Sequence, residues 1–171
     1  MPSEVSIRLA TETDIPAITD IYNEVIKTTF AIYREDAVDV SERLAWYLDK
    51  IAHNFPVLVA VNGQRVIGYG VYGTFRFGEG YSQTVEHSVH VAENFRNQGI
   101  GKKILQNLIL MAIQQNKTQM VAAIDSENQI SIALHAKLGF SESARMSGIA
   151  VKHGQLCDLV LMQKQLDRFG D

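Results

Sequence analysis

The amino-acid sequence predicts an α/β fold, a mixed β-sheet with helices on both faces, in the order β-α-α-β-β-β-α-β-α-β-β. Three observations carry this expectation. Short apolar, often β-branched runs alternate with longer segments whose apolar residues recur every three or four positions. Asn62-Gly63 marks a hairpin turn between two of the runs, which makes the early sheet antiparallel. Further on, a strand leads through a glycine-bearing loop into a helix and a further strand, a connection that makes the sheet locally parallel.

Val5 to Leu9 alternates apolar and polar residues, the period of a strand with one buried face. Thr13 or Asp14 can cap the helix that follows, and Pro16 is tolerated in its first turn because early helical N–H groups lack partners anyway. Ile18, Ile21, Tyr22, Val25 and Ile26 form its apolar stripe. A second helix is expected from Ser41, with Leu44, Leu48 and Ile51 on its inner side. Val57 to Val61 and Arg65 to Tyr72 form the hairpin, Gly78-Glu79-Gly80 turns the chain, and Gln83 to Val91 is the third antiparallel strand. The next helix carries Ile100, Ile104, Leu108 and Met111 on one side. Met120 to Ile124 is a short strand, Asn128 to Leu138 a short helix stopped by Gly139, and strands near Ser141 to Val151 and Leu156 to Gln163 complete the order.

The 171 residues fit a single domain, 1–171, large enough to bury a core without disulfides. A hydrophobic share of 46% and a net charge of -3 match a soluble globular chain and give no basic footprint for nucleic acid. The single cysteine, Cys157, forms no intramolecular pair and suits a reducing compartment. Residues from Met1 to Arg8 lack a basic segment followed by an apolar one, and the apolar run at 56–61 is too short to span a bilayer. A cytoplasmic protein without membrane partners is expected.

Arg96-x-x-Gly99-x-Gly101 opens a helix directly after a strand. A helix start has unpaired N–H groups and the positive end of the dipole, and glycines let a phosphate approach the backbone. Asn97, Gln98, Gly99, Gly101 and Lys102 would surround such an anion, with Arg96, Lys102 and Lys103 supplying charge. An ordinary glycine loop with a solvated basic turn is the alternative, although lysines at a helix N-terminus are unfavourable without an anion nearby. The segment lacks the Gly-Lys-Ser/Thr ending of a P-loop and the third glycine of the dinucleotide fingerprint.

This loop resembles the Arg/Gln-x-x-Gly-x-Gly/Ala pyrophosphate loop of the GNAT superfamily of N-acetyltransferases. Asn128-x-x-Ser131-x-x-x-His135, running on to Gly139-Phe140, is similar to that superfamily's following helix, with His135 at the position of its usual Tyr. Ile21-Tyr22-Asn23, Glu42-Arg43-x-x-Trp46, Thr84 to Val89, Ala122 to Asp125, Ala133-Leu134-His135 and Lys152-His153-Gly154 extend the resemblance over nearly the whole chain. They resemble the phosphinothricin / methionine sulfoximine N-acetyltransferase family, whose members acetylate the α-amino group of small glutamate- or methionine-like compounds.

The resemblance implies acetyl-CoA as cosubstrate, no metal, a small amino-acid-like acceptor and a homodimer. Amine acetylation needs a base for the ammonium, a polarised thioester carbonyl and a stabilised thiolate. Glu86, mid-strand among apolar neighbours, is the candidate base, since partial desolvation raises a carboxylate pKa. Taken alone, an exposed or ion-paired strand residue is an equally ordinary reading of it. Asn128, Ser131 and His135 share one helix face, where Asn128 can meet the pantetheine arm or cap the helix, and His135 is implied as the thiolate's proton donor. Backbone groups at Val89 and Val91 are implied cofactor contacts, where two parallel strands splay. Arg76, between Phe75 and Phe77, is the candidate for the acceptor's carboxylate, with Asn23, Phe30 and Tyr33 lining the same pocket and His153 approaching from a partner subunit. His87 and His90 are expected to be structural or site-lining. The competing readings are an acetyltransferase for another amine (a protein N-terminus, polyamine or aminoglycoside) and a CoA-binding regulatory module without turnover.

Overall fold

The computed structural model describes residues 4–166. Met1 to Ser3, part of the segment bearing on a leader peptide, lie outside the described residues. Seven strands form one sheet in the order β1-β2-β3-β4-β5-β7-β6. They are β1 (Ser6–Leu9), β2 (Val57–Asn62), β3 (Arg65–Thr74), β4 (Thr84–Val91), β5 (Gln119–Asp125), β6 (Ser141–Lys152) and β7 (Gln155–Gln165). All neighbours pair antiparallel except β4 and β5. The mixed sheet is therefore as the sequence predicts. The first hairpin differs in detail: Asn62 pairs with Arg65, so the two turn residues are Gly63 and Gln64.

Four helices cover the two faces. Helix α1 (Ile15–Thr28) buries Ile15, Ile18, Ile21 and Val25 against Val57, Val59, Val61, Tyr69 and Val71. Asp14 stands at its start, but the carboxylate turns back to Arg8 (2.7 Å) and the Thr11 N–H (2.8 Å) instead of capping the helix. Helix α3 (Ile100–Gln114) buries Ile100, Ile104, Leu105, Leu108 and Ala112 on the opposite face, against Leu58, Ala60, Ile67, Tyr72 and Met120. It lies close to the sheet over Gly70, where a Cβ would stand 2.4 Å from Ile104 Cγ2. Helix α4 (Gln129–Lys137) shares that face through Ile132, as do Leu138 and Phe140 just after it.

Helix α2 (Val40–Ala52) corrects an expectation. Asp39 caps it by accepting the Glu42 N–H at 2.8 Å. Its inner face carries Arg43 and Tyr47 with Leu44 packed beside them as expected, while Leu48 and Ile51 are about half exposed, at 47% and 49%. The Arg43 guanidinium is stacked between the rings of Tyr22 (4.1 Å) and Trp46 (3.8 Å), and Tyr47 donates its hydroxyl to the Ala10 carbonyl. An aromatic sandwich around a cation takes the place of Leu48 and Ile51 in burying this helix.

Candidate active site

β4 and β5 pair only from Thr84–Gln119 to His87–Ala122. Beyond that point β4 stays with β3 as far as Val91, opposite Gly68, and β5 stays with β7 as far as Asp125, opposite Leu159. The sheet opens there into a V with its apex at His87 and Ala122. Backbone groups of Val89 and Val91 that face β5 lack a strand partner, which makes the V a slot for an elongated polar chain.

The loop expected to hold a pyrophosphate lies at the open end of that V. Asn97 and Gly99 have φ of 60° and 78°, and Gly99 stands at the N-cap of α3 without a side-chain cap. A side chain at Gly99 would meet no atom within 4 Å, so the left-handed backbone, not crowding, is what requires glycine. The first-turn amides of α3 are thus presented without a side-chain partner, beside exposed Lys102 and Lys103. Gly101 faces Val89 and Val91, and a Cβ there would stand 3.8 Å from each valine. Arg96 plays a different part from the expected phosphate contact. Its Nε donates to the Val91 carbonyl at 3.0 Å and its Nη2 lies 3.7 Å from Glu24, so it braces the loop against the end of β4. Gln98 turns its side chain back to the Asn94 carbonyl.

The register of β4 against β3 is unbroken, so Glu86, Ser88 and His90 point toward α1 and α2, while Val85, His87, Val89 and Val91 point toward α3 and α4. Glu86 is half-buried and has no hydrogen bond or ion pair among the described residues. Burial pushes its pKa above the ordinary carboxylate range, as a base acting near neutrality requires.

His135 lies across the sheet from Glu86. Its Nδ1 stands 2.7 Å from the Ser131 carbonyl, which can only accept, so Nδ1 carries the proton. Its Nε2 then accepts from His87 Nε2 at 3.0 Å, and His87 Nδ1 is left buried without a partner. Burial lowers the pKa of both rings, that of His87 to about 3. The proton donor implied at His135 is therefore here a neutral ring whose one N–H is committed to the Ser131 carbonyl. Asn128 takes the second of its two expected roles, capping α4 through Ser131 N–H at 3.1 Å.

A cleft of about 420 Å³ opens beside the V, lined by Phe30 and Ala31, by Asp125 to Asn128, and by Gln155 to Asp158. Tyr33 supports its floor, donating to Asp125 Oδ2 at 2.6 Å. Burial and this bond raise the Tyr33 pKa and keep the hydroxyl protonated. Asn23 does not line the cleft; its amide is committed to both backbone groups of Val38 at 2.9 Å. His153 meets Phe30 edge-on within the same chain, with ring centroids 6.0 Å apart. Arg76 lines a separate cleft with Thr74, Phe75, Phe77 and Tyr81, just beyond Gly73, the residue opposite Glu86. The structure thus does not bring Arg76 and Phe30 into one pocket.

Asp158 and the His87–His135 bond have no signal in the sequence, and Asp125 enters there only as the last residue of the Ala122 to Asp125 resemblance, without a role. Among the described residues no group of three His, Cys, Asp or Glu could hold a metal, and no helix is long and apolar enough to cross a membrane.

Residues 18–140 match the acetyltransferase (GNAT) family. An L-methionine sulfoximine/L-methionine sulfone acetyltransferase of Salmonella typhimurium is 43% identical over 95% of this chain and 95% of its own. A ribosomal-protein-alanine N-acetyltransferase from Brucella melitensis superposes with a TM-score of 0.93 at 42% identity, over 94% of this chain and 99% of that one. A phosphinothricin acetyltransferase from Sinorhizobium meliloti, solved with acetyl-CoA, has a TM-score of 0.92 at 32% identity, over 95% and 88%. The splayed strands, the left-handed glycine loop and these matches agree: the chain belongs to the GNAT family of acetyltransferases.

Proposed function

We propose that this chain is a cytoplasmic, acetyl-CoA-dependent N-acetyltransferase for the α-amino group of small amino-acid analogues, of the methionine sulfoximine, methionine sulfone and phosphinothricin type. The observation that carries the chemistry is an unpaired, half-buried Glu86 one residue before the point where β4 and β5 part. The substrates named for the methionine sulfoximine/sulfone and phosphinothricin relatives support the acceptor class.

In this reading the first-turn amides of α3 hold the pyrophosphate, and the Val89 backbone groups and the Val91 N–H hold the pantetheine arm and polarise the thioester carbonyl. Bound acetyl-CoA supplies the acyl group. Glu86 takes a proton from the acceptor's ammonium so that the amine lone pair can attack directly. Ser131 and His135 flank the departing sulfur. His135 donates a proton there only once its Nε2 has parted from His87 and been protonated. Phe30 and the Tyr33-braced loop line the acceptor's side chain, and Arg76, from its own cleft, is assigned the carboxylate. Acetylation removes the ammonium that such analogues share with natural amino acids, which suits a detoxifying role. A homodimer completes the reading.

The test is thiol release from acetyl-CoA with methionine sulfoximine, methionine sulfone and phosphinothricin, run beside a panel of peptides. Turnover with the analogues is expected, and its absence with all three sinks the acceptor assignment. The Brucella neighbour's name favours a second reading, an alanine-starting protein N-terminus, which the peptide arm detects.

A further inference from the structure

We propose that Lys152 is a positioning residue for the acceptor, fixing the distance between the two walls of the Phe30 cleft. Its side chain is 0% exposed, an unusual place for an ammonium. Nζ donates to three backbone carbonyls, those of Ile26 (2.6 Å), Thr29 (2.7 Å) and Ile32 (2.8 Å). Among the described residues no carboxylate lies within ion-pair distance of it.

The three acceptors have a common location. Ile26 belongs to the last turn of α1, whose carbonyls have no partners within the helix. Thr29 and Ile32 flank Phe30 and Ala31, which form one wall of the cleft. Lys152 itself ends β6 and pairs with Gln155, the first of the four residues that form the opposite wall. Between them runs a two-residue turn, His153-Gly154, with φ of 50° and 71°, the left-handed pair that joins strands tightly. One ammonium is thus bonded to one wall and is part of the strand pair that carries the other.

The chemistry explains why lysine stands there. A tetrahedral ammonium offers three diverging donors, which match three converging carbonyls; a planar guanidinium does not. The cation also faces the negative end of the α1 dipole. If closing the helix were the whole task, a glycine or a water would serve without desolvating a charge. A full charge held this way ties the helix end, the turn after it and the hairpin into one unit. Two weaker ties follow the same line: the His153 N–H donates to Glu35 Oε1 at 2.6 Å, and the Phe30 and His153 rings meet edge-on.

The inference rests on the cleft being the acceptor's, so its test reads the two separately. Lys152→Met keeps volume and removes all three donors. Amide hydrogen exchange in 29–36 is expected to accelerate, and KM for the acceptor to rise about tenfold or more, since small misplacements near a site are costly. KM for acetyl-CoA is expected to stay within about twofold, because the α3 loop lies elsewhere. Glu35→Ala removes an exposed tie and should show the same pattern more weakly, which serves if the Met variant does not fold. Unchanged exchange in 29–36 overturns the clamp. Faster exchange with an unchanged acceptor KM, or both KM values rising together, overturns the positioning role. Failure of the acceptor reading itself shows in the unsubstituted enzyme, as no turnover with any analogue, while the exchange arm still decides the clamp.

Discussion

Glu86 owes its value as a base to where β4 places it, on the face shared with α1 and α2 and without an ion pair among the described residues. Desolvation alone raises its pKa, so the sign of the pH dependence follows. The carboxylate must be ionised to accept a proton, hence kcat/KM should climb as pH rises through a value above the ordinary range for glutamate. Glu86→Gln should lower kcat by about a hundredfold or more, the scale of a lost general base, and should abolish that limb. A variant whose pH profile keeps the same limb would remove Glu86 from the chemistry. His135 presents the opposite case. The tautomer imposed by Ser131 and His87 commits its one N–H to a backbone carbonyl, which could not be read from a histidine at a tyrosine's usual position.

Two elements show what local sequence can and cannot announce. The β4–α3 connection was legible because every determinant is local: a strand, two glycines and a periodic helix. Gly99→Ala should therefore act through backbone strain alone, about 1–2 kcal/mol for a left-handed alanine, with open space around the added methyl. Since that strain reshapes the amides at the start of α3, KM for acetyl-CoA should rise while KM for the acceptor holds; the reverse pattern in steady-state kinetics would count against the loop's role. Helix α2 misled because its buried side is built by partners distant in sequence, Tyr22 and Ala10. Leu44 packs against the core, but Leu48 and Ile51 point outward. Leu48→Glu should accordingly change stability by no more than about 0.5 kcal/mol, whereas Tyr47→Ala should cost about 3–5 kcal/mol, like other buried aromatics; urea melts separate the two. The tripod of Lys152 was illegible for the same reason, since its acceptors lie more than a hundred residues upstream.

For the molecule as a whole, the centre of the sheet sets a limit on acid stability. His87 and His90 alternate on opposite faces of β4, and burial holds them neutral, with pKa values of about 3 and about 4. His135 is lowered as well, and its bond to His87 requires an unprotonated nitrogen. In the unfolded chain all three titrate near the free value of roughly 6.5. Below that pH the unfolded state takes up protons that the native state refuses. Stability is therefore intact above about pH 6.5 and is lost as pH falls, each refused proton steepening the loss by about 1.4 kcal/mol per unit. Glu86 has the opposite sign, since a carboxylate raised in the native state is protonated there first, but it is one group against three. Thermal melts from pH 8 to pH 5 should show a plateau and then a decline. His90→Leu, which removes a titrating ring that makes no hydrogen bond among the described residues, should make the decline shallower by about one proton. A native curve flat down to pH 5, or a His90→Leu curve parallel to it, would show that the rings are protonated in place and that the sheet does not exclude the charge.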